Sequence, residues 1–116
     1  MNTYRTIFHI DETSKFKLLL ANVNNLIQSM DQEPITIEVL ANSEAVKLFV
    51  LNDINEVEHT NVQNLINKGV IFSLCNNSLR SNKIDPSLLI QHVHIVPTGV
   101  KELMIKQHEG YAYIKP

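Results

Sequence analysis

Cys75 is the only cysteine among 116 residues, and its setting is one in which a thiol can do chemistry. It closes the apolar run Gly69-Val70-Ile71-Phe72-Ser73-Leu74 and opens the polar stretch Asn76-Asn77-Ser78-Leu79-Arg80. That pattern reads as a buried strand breaking sharply into a helix start. Backbone N–H groups at a helix start favour an anion, and a cysteine beside them can have its pKa lowered and present a reactive thiolate. The competing reading is a small apolar filler at a strand end, since free cysteine is often buried. Other groups with useful chemistry are sparse. His9 stands at the end of an apolar run and can act as a base or an orienting donor; the alternative is a hydrogen-bonded strand-end histidine. His92 and His94 are two apart and so share a strand face, but one such pair falls short of the three or four converging ligands a metal site needs. His59 and His108 read as exposed loop and helix positions. No metal is expected. The glycines are Gly69, Gly99 and Gly110, so there is no glycine-rich phosphate loop. Thr98-Gly99 at a helix start can hold an anion through backbone N–H groups, though a simple cap is the plainer reading.

The elements that must position these residues follow from periodicity. Arg5–Ile10 reads as a strand. Ser14 is a candidate N-cap for a helix whose Phe16, Leu19, Leu20, Val23, Leu26, Ile27 and Met30 share one face. Pro34 closes the turn, and β-branched residues 35–40 read as a second strand. Asn42 or Ser43 caps a shorter helix through Phe49, and 51–59 reads as an acidic surface loop. Thr60 is a candidate cap for a helix with Val62, Leu65 and Ile66 inward, ended by Gly69. The Cys75 strand follows. Asp85-Pro86 starts a short helical turn, residues 93–96 form a fourth strand, Thr98 caps a last helix, and 111–114 form a fifth strand. Alternating strands and helices imply a mostly parallel sheet covered on both faces, with strand carboxyl ends sharing one edge where ligands bind. That edge gathers His9, Asn42, Cys75, Asn76, Asn77, Thr98 and Gly99. Arg80 can add positive charge if it turns back towards it.

Composition narrows the function. A hydrophobic content of 44% over this length supports one compact unit with its own core. A lone cysteine forms no internal disulfide, so a reducing compartment suits the chain. Neither a signal peptide nor a membrane-spanning stretch is evident, and a cytoplasmic protein is expected. The net charge of −2, with scattered lysines and arginines, gives no reason to expect nucleic acid. Tyr111 and Tyr113 read as packing residues.

Several segments carry a resemblance. They are Phe8-His9-Ile10-Asp11-Glu12, Val39-Leu40-Ala41-Asn42-Ser43-Glu44-Ala45-Val46, Leu74-Cys75-Asn76-Asn77-Ser78-Leu79-Arg80, and the ending from Val96-Pro97-Thr98-Gly99 through Glu109-Gly110-Tyr111-Ala112-Tyr113-Ile114-Lys115-Pro116. In this order, over essentially the whole chain, they resemble the small stand-alone proteins of the DsrE/DsrF-like family. The resemblance implies one such domain over 1–116, a three-layer α/β/α sandwich around a mostly parallel five-stranded sheet, in a cytoplasmic homo-oligomer. It also implies that Cys75 carries sulfane sulfur as a persulfide and exchanges it with a sulfur-carrier protein, without a cofactor. Such a role is group transfer, closer to relay than to turnover. The alternative is a non-catalytic oligomeric module binding a small anionic ligand or a protein partner at the same edge. A flavodoxin-like mononucleotide binder fits less well, for want of tryptophan and of a phosphate loop.

Overall fold

The apolar runs of this chain assemble, in a computed structural model describing residues 3–116, into one sheet flanked by helices. The strands are β1 (Tyr4–Ile10), β2 (Ile35–Ala41), β3 (Ile71–Cys75), β4 (His94–Val96) and β5 (Ala112–Ile114). The helices are α1 (Phe16–Met30), α2 (Glu56–Asn67), α3 (Asn76–Ser81) and α4 (Gly99–His108), with short 3-10 segments at Thr13–Lys15, Ser43–Phe49 and Pro86–Leu88. The spatial order is β4-β3-β2-β1-β5, and every pairing is parallel. The expected sheet is therefore present, and it is parallel throughout. Among the described residues no helix is long and apolar enough to cross a membrane.

The topology explains the two helical layers. From β1 to β4 the chain steps always in one direction, so right-handed crossovers put the connecting helices on one face. The return from β4 to β5 runs the other way and puts α4 on the opposite face. Strand periodicity of two agrees with this. Phe8, Ile10, Ile37, Val39, Phe72 and Leu74 pack with α1, α2, α3 and the 43–49 segment in the main core, while Ile7 and Leu40 face Leu103 of α4. Phe49 joins the layers of the main core, with ring centroids 5.6 Å from Phe16 and 5.8 Å from Phe72.

Some boundaries differ from expectation. Ser14 lies inside a 3-10 turn and caps nothing; α1 begins at Phe16 behind Lys15, and the Glu44 carboxylate takes the Thr13 N–H and hydroxyl at 2.9 and 3.0 Å. Thr60 is mid-helix. The cap of α2 is Asn55, whose Oδ1 accepts from the Glu58 N–H at 2.8 Å while its Nδ2 donates to the Glu58 carboxylate. The pair is reciprocal as in a capping box, with the Asn55 carboxamide in place of its backbone N–H, and Glu56 and Glu58 suit the positive end of the helix dipole. His59 is accordingly helical. The segment after Asn42 is a 3-10 helix, and neither Asn42 nor Thr98 makes a side-chain cap bond. Asp85 does, accepting from the Ser87 N–H.

Candidate functional site

Cys75 is the last residue of β3 and the N-cap position of α3. The neighbouring strand β4 leads into α4. Because α3 turns to one face and α4 to the other, β3 and β4 enclose the crevice at which open parallel sheets bind ligands. Gly99 opens α4 above the cysteine. A Cβ built there would lie 3.0 Å from Leu40 Cδ1, 3.2 Å from Cys75 Cβ and 3.3 Å from Asn42 Cβ. Only glycine lets the first turn of α4 descend this far, and the descent brings its N–H to the thiol.

Cys75 is 5% exposed. Its side chain makes no cap hydrogen bond to α3. Burial alone pushes its pKa up, but the Ser78 hydroxyl and the amides of Gly99, Ser78 and Asn77 prevail and leave it below the ordinary value of 9.0. Ser78 Oγ accepts the Ser43 N–H at 2.7 Å, which leaves its hydroxyl proton free to favour the anion. Ser43 adopts φ of +53°, a conformation side chains rarely take. The contacts from α3 hold it there, since Asn82 Nδ2 also donates to the Ser43 carbonyl at 3.1 Å.

The remaining expected residues divide. Continuing the β2–β3 register beyond Ala41↔Leu74 places Asn42 beside Cys75 on the α4 face. His9 Nε2 lies 2.9 Å from Asn42 Oδ1, and His9 Nδ1 lies 2.6 Å from the Tyr113 hydroxyl. Tyr113, His9, Asn42 and Cys75 thus form a row across β5, β1, β2 and β3. Asn77 acts through its backbone, and Asn76 begins α3 half-buried. Thr98 lines, with Val96, Pro97, Lys101, Glu102 and Ile105, a depression of about 240 Å³ beside α4. Arg80 is exposed in the last turn of α3. No three histidine, cysteine, aspartate or glutamate side chains converge among the described residues; His92 lies outside β4, in a left-handed turn.

Two residues of consequence carry weaker signals in the sequence. Tyr113 shows as a packing residue until β5 is known to lie beside β1. Glu38 is an acidic residue inside a β-branched strand, the one local anomaly of β2. It is 2% exposed, its Oε2 accepts no hydrogen bond, and Lys106 Nζ stands 3.8 Å from Oε1. Burial and the neighbouring Glu102 carboxyl raise its pKa to about 7, against the opposing pull of Ser73 and Lys106.

The model of the DsrE/DsrF-like family matches residues 6–116. The chain belongs to that family. Its structure superposes on a protein of unknown function, MTH1491 from Methanobacterium thermoautotrophicum, with a TM-score of 0.87 and 38% identity over 97% of this chain and 99% of that one. It also superposes on the ychN protein from E. coli with a TM-score of 0.77, at 15% identity over 97% and 99% of the two chains. The latter likeness concerns the fold. No curated protein matches the chain in sequence.

Proposed function

We propose that this protein carries sulfane sulfur on Cys75. The observation that supports the reading is the place of a buried Cys75 at the start of α3 and against Gly99 of α4, where the Ser78 hydroxyl and the nearby amides lower its pKa. The DsrE/DsrF-like family is linked in general to sulfur relay. The Cys75 thiolate attacks the outer sulfur of a donor persulfide. One S–S bond forms at Cys75 as the donor's S–S bond breaks, and the donor leaves as a thiolate, with no net oxidation. A second thiolate then takes the outer sulfur by the same exchange and returns Cys75 to its starting state. The donors that stabilise the thiolate also suit the persulfide anion. Exposure of only 5% favours a small donor or an extended segment over a broad partner surface.

The expected result with a low-mass persulfide is a gain of one sulfur atom in the intact mass of the non-reduced protein, reversed by reductant and absent in Cys75→Ser. No gain with any sulfane donor would reject the reading. The same low exposure favours a second reading, in which Cys75 is a strand-end packing residue of a non-catalytic homo-oligomeric module that binds a small anion or a protein partner at this edge. In that case Cys75→Ala keeps fold, assembly and binding.

A further inference from the structure

The row that leads to Cys75 from the far side of the sheet is a chain of hydrogen bonds with one loose end. Tyr113 on β5 meets His9 Nδ1 at 2.6 Å, and His9 Nε2 meets Asn42 Oδ1 at 2.9 Å. A carboxamide oxygen only accepts, so Nε2 carries the proton and donates it. Nδ1 of the neutral ring is then an acceptor, and the Tyr113 hydroxyl donates to it. Both imidazole nitrogens are committed, and the Asn42 side chain is held by its oxygen. Its Nδ2 has no protein partner among the described residues, although Asn42 is half-buried. The β-carbons of Asn42 and Cys75 lie 3.3 and 3.2 Å from the same point above Gly99, so the two side chains leave the sheet next to one another. A side chain with two free N–H groups therefore stands next to Cys75 at this edge of the sheet.

We propose that Asn42 binds the outer sulfur of the Cys75 persulfide through Nδ2, and that His9 and Tyr113 are positioning residues that orient it. This rests on the sulfur-carrier reading and adds to it a division of labour. Gly99, Ser78 and Asn77 stabilise the thiolate before loading, whereas Asn42 acts only once a second sulfur is attached. A persulfide is a stronger acid than a thiol, so its outer sulfur is anionic at neutral pH and takes a charge-assisted bond from the carboxamide. Tyr113 is brought to the row by a short edge strand, which Thr6 fastens by donating its hydroxyl proton to the Ala112 carbonyl at 2.9 Å. Lys115 adds an ion pair to Asp11 at 2.8 Å.

The test compares the wild type, Asn42→Ala and Tyr113→Phe, each loaded from a low-mass persulfide. The loss of the outer sulfur to cyanide is followed by intact mass. Loss is expected about tenfold faster in Asn42→Ala and severalfold faster in Tyr113→Phe, with alkylation of unloaded Cys75 by iodoacetamide within about twofold of wild type in both. Nitrogen-15 spectra of the His9 ring should show Nε2 protonated in the wild type and a changed tautomer balance in Tyr113→Phe. Should Asn42→Ala fail to fold, Asn42→Ser serves in its place. Equal retention of sulfur in all three proteins would overturn the proposal while leaving Cys75 a carrier. Parallel changes in alkylation and retention would reduce the row to a structural role. A wild type that takes up no sulfur would remove the carrier reading and this proposal together.

Discussion

At the scale of single residues, the chemistry depends on how few groups surround Cys75 and what each can donate. Ser78 is the decisive side chain, because its hydroxyl favours the anion and its oxygen is occupied by the Ser43 amide. Ser78→Ala removes one charge-assisted bond to the thiolate and leaves the backbone donors. The thiol pKa then rises towards 9.0, and alkylation at pH 7 slows by roughly three- to tenfold. Thiolate absorbance is a clean measure of this, since the chain has no other cysteine. An unchanged titration would show that the amides alone hold the anion. Much at this scale is legible from the sequence: the strand-to-helix break at Cys75, and the placing of His9, Asn42 and Gly99 at one edge. The bond from Tyr113 to His9 is not, because 104 residues separate them and only the position of β5 beside β1 joins them.

At the scale of elements, α4 links the two faces of the sheet to the site. Its first residue must be glycine for steric reasons, not for a left-handed backbone. Gly99→Ala places a methyl within 3.0 Å of Leu40 and 3.2 Å of Cys75. Overpacking of this kind costs about 1 to 3 kcal/mol. It also lifts the Gly99 amide from the sulfur, so the denaturation midpoint falls and the thiol pKa rises together. A fall in stability without a change in thiol titration would separate α4 from the site. Asn55→Ala is a control distant from the crevice. Loss of the α2 cap costs about 1 kcal/mol, and chemical denaturation should show it with Cys75 reactivity intact. Element boundaries are readable where a periodic apolar face sets them, as in α1. They are misread where a cap competes with the expectation of an acidic loop. Asn55-Glu56-Val57-Glu58 has the spacing of a capping box, but Val57 is 80% exposed and hides the helical period. Asn42 has the right type and place for a cap, yet its carboxamide goes to His9 instead. A local rule cannot show that diversion, because the donor it accepts from is on another strand.

At the scale of the whole molecule, the parallel sheet puts α3 and α4 on opposite faces and so opens the crevice at Cys75. The same arrangement buries Glu38 beneath α4. Its folded pKa of about 7 lies above the ordinary 4.5, so the folded protein binds the extra proton between those values. The stability this contributes is complete below pH 4.5, declines as pH rises through 7, and is absent above it. The decline is on the order of 3 kcal/mol. Glu38→Gln supplies N–H donors at every pH, so its thermal midpoint should lose that dependence and exceed the wild type at pH 8. Equal pH profiles for the two proteins would mean that the buried carboxyl keeps its ordinary acidity. The strand order is not readable from the chain, but the fold class is, because alternating elements admit few other solutions. The most direct test of a thiol held ready for sulfur is the pH dependence of Cys75 alkylation in the native protein by a small neutral reagent. The expected result is complete single-site modification with a midpoint below 9.0. Resistance to the reagent until the protein unfolds would make Cys75 a core residue and contradict the sulfur-carrier reading.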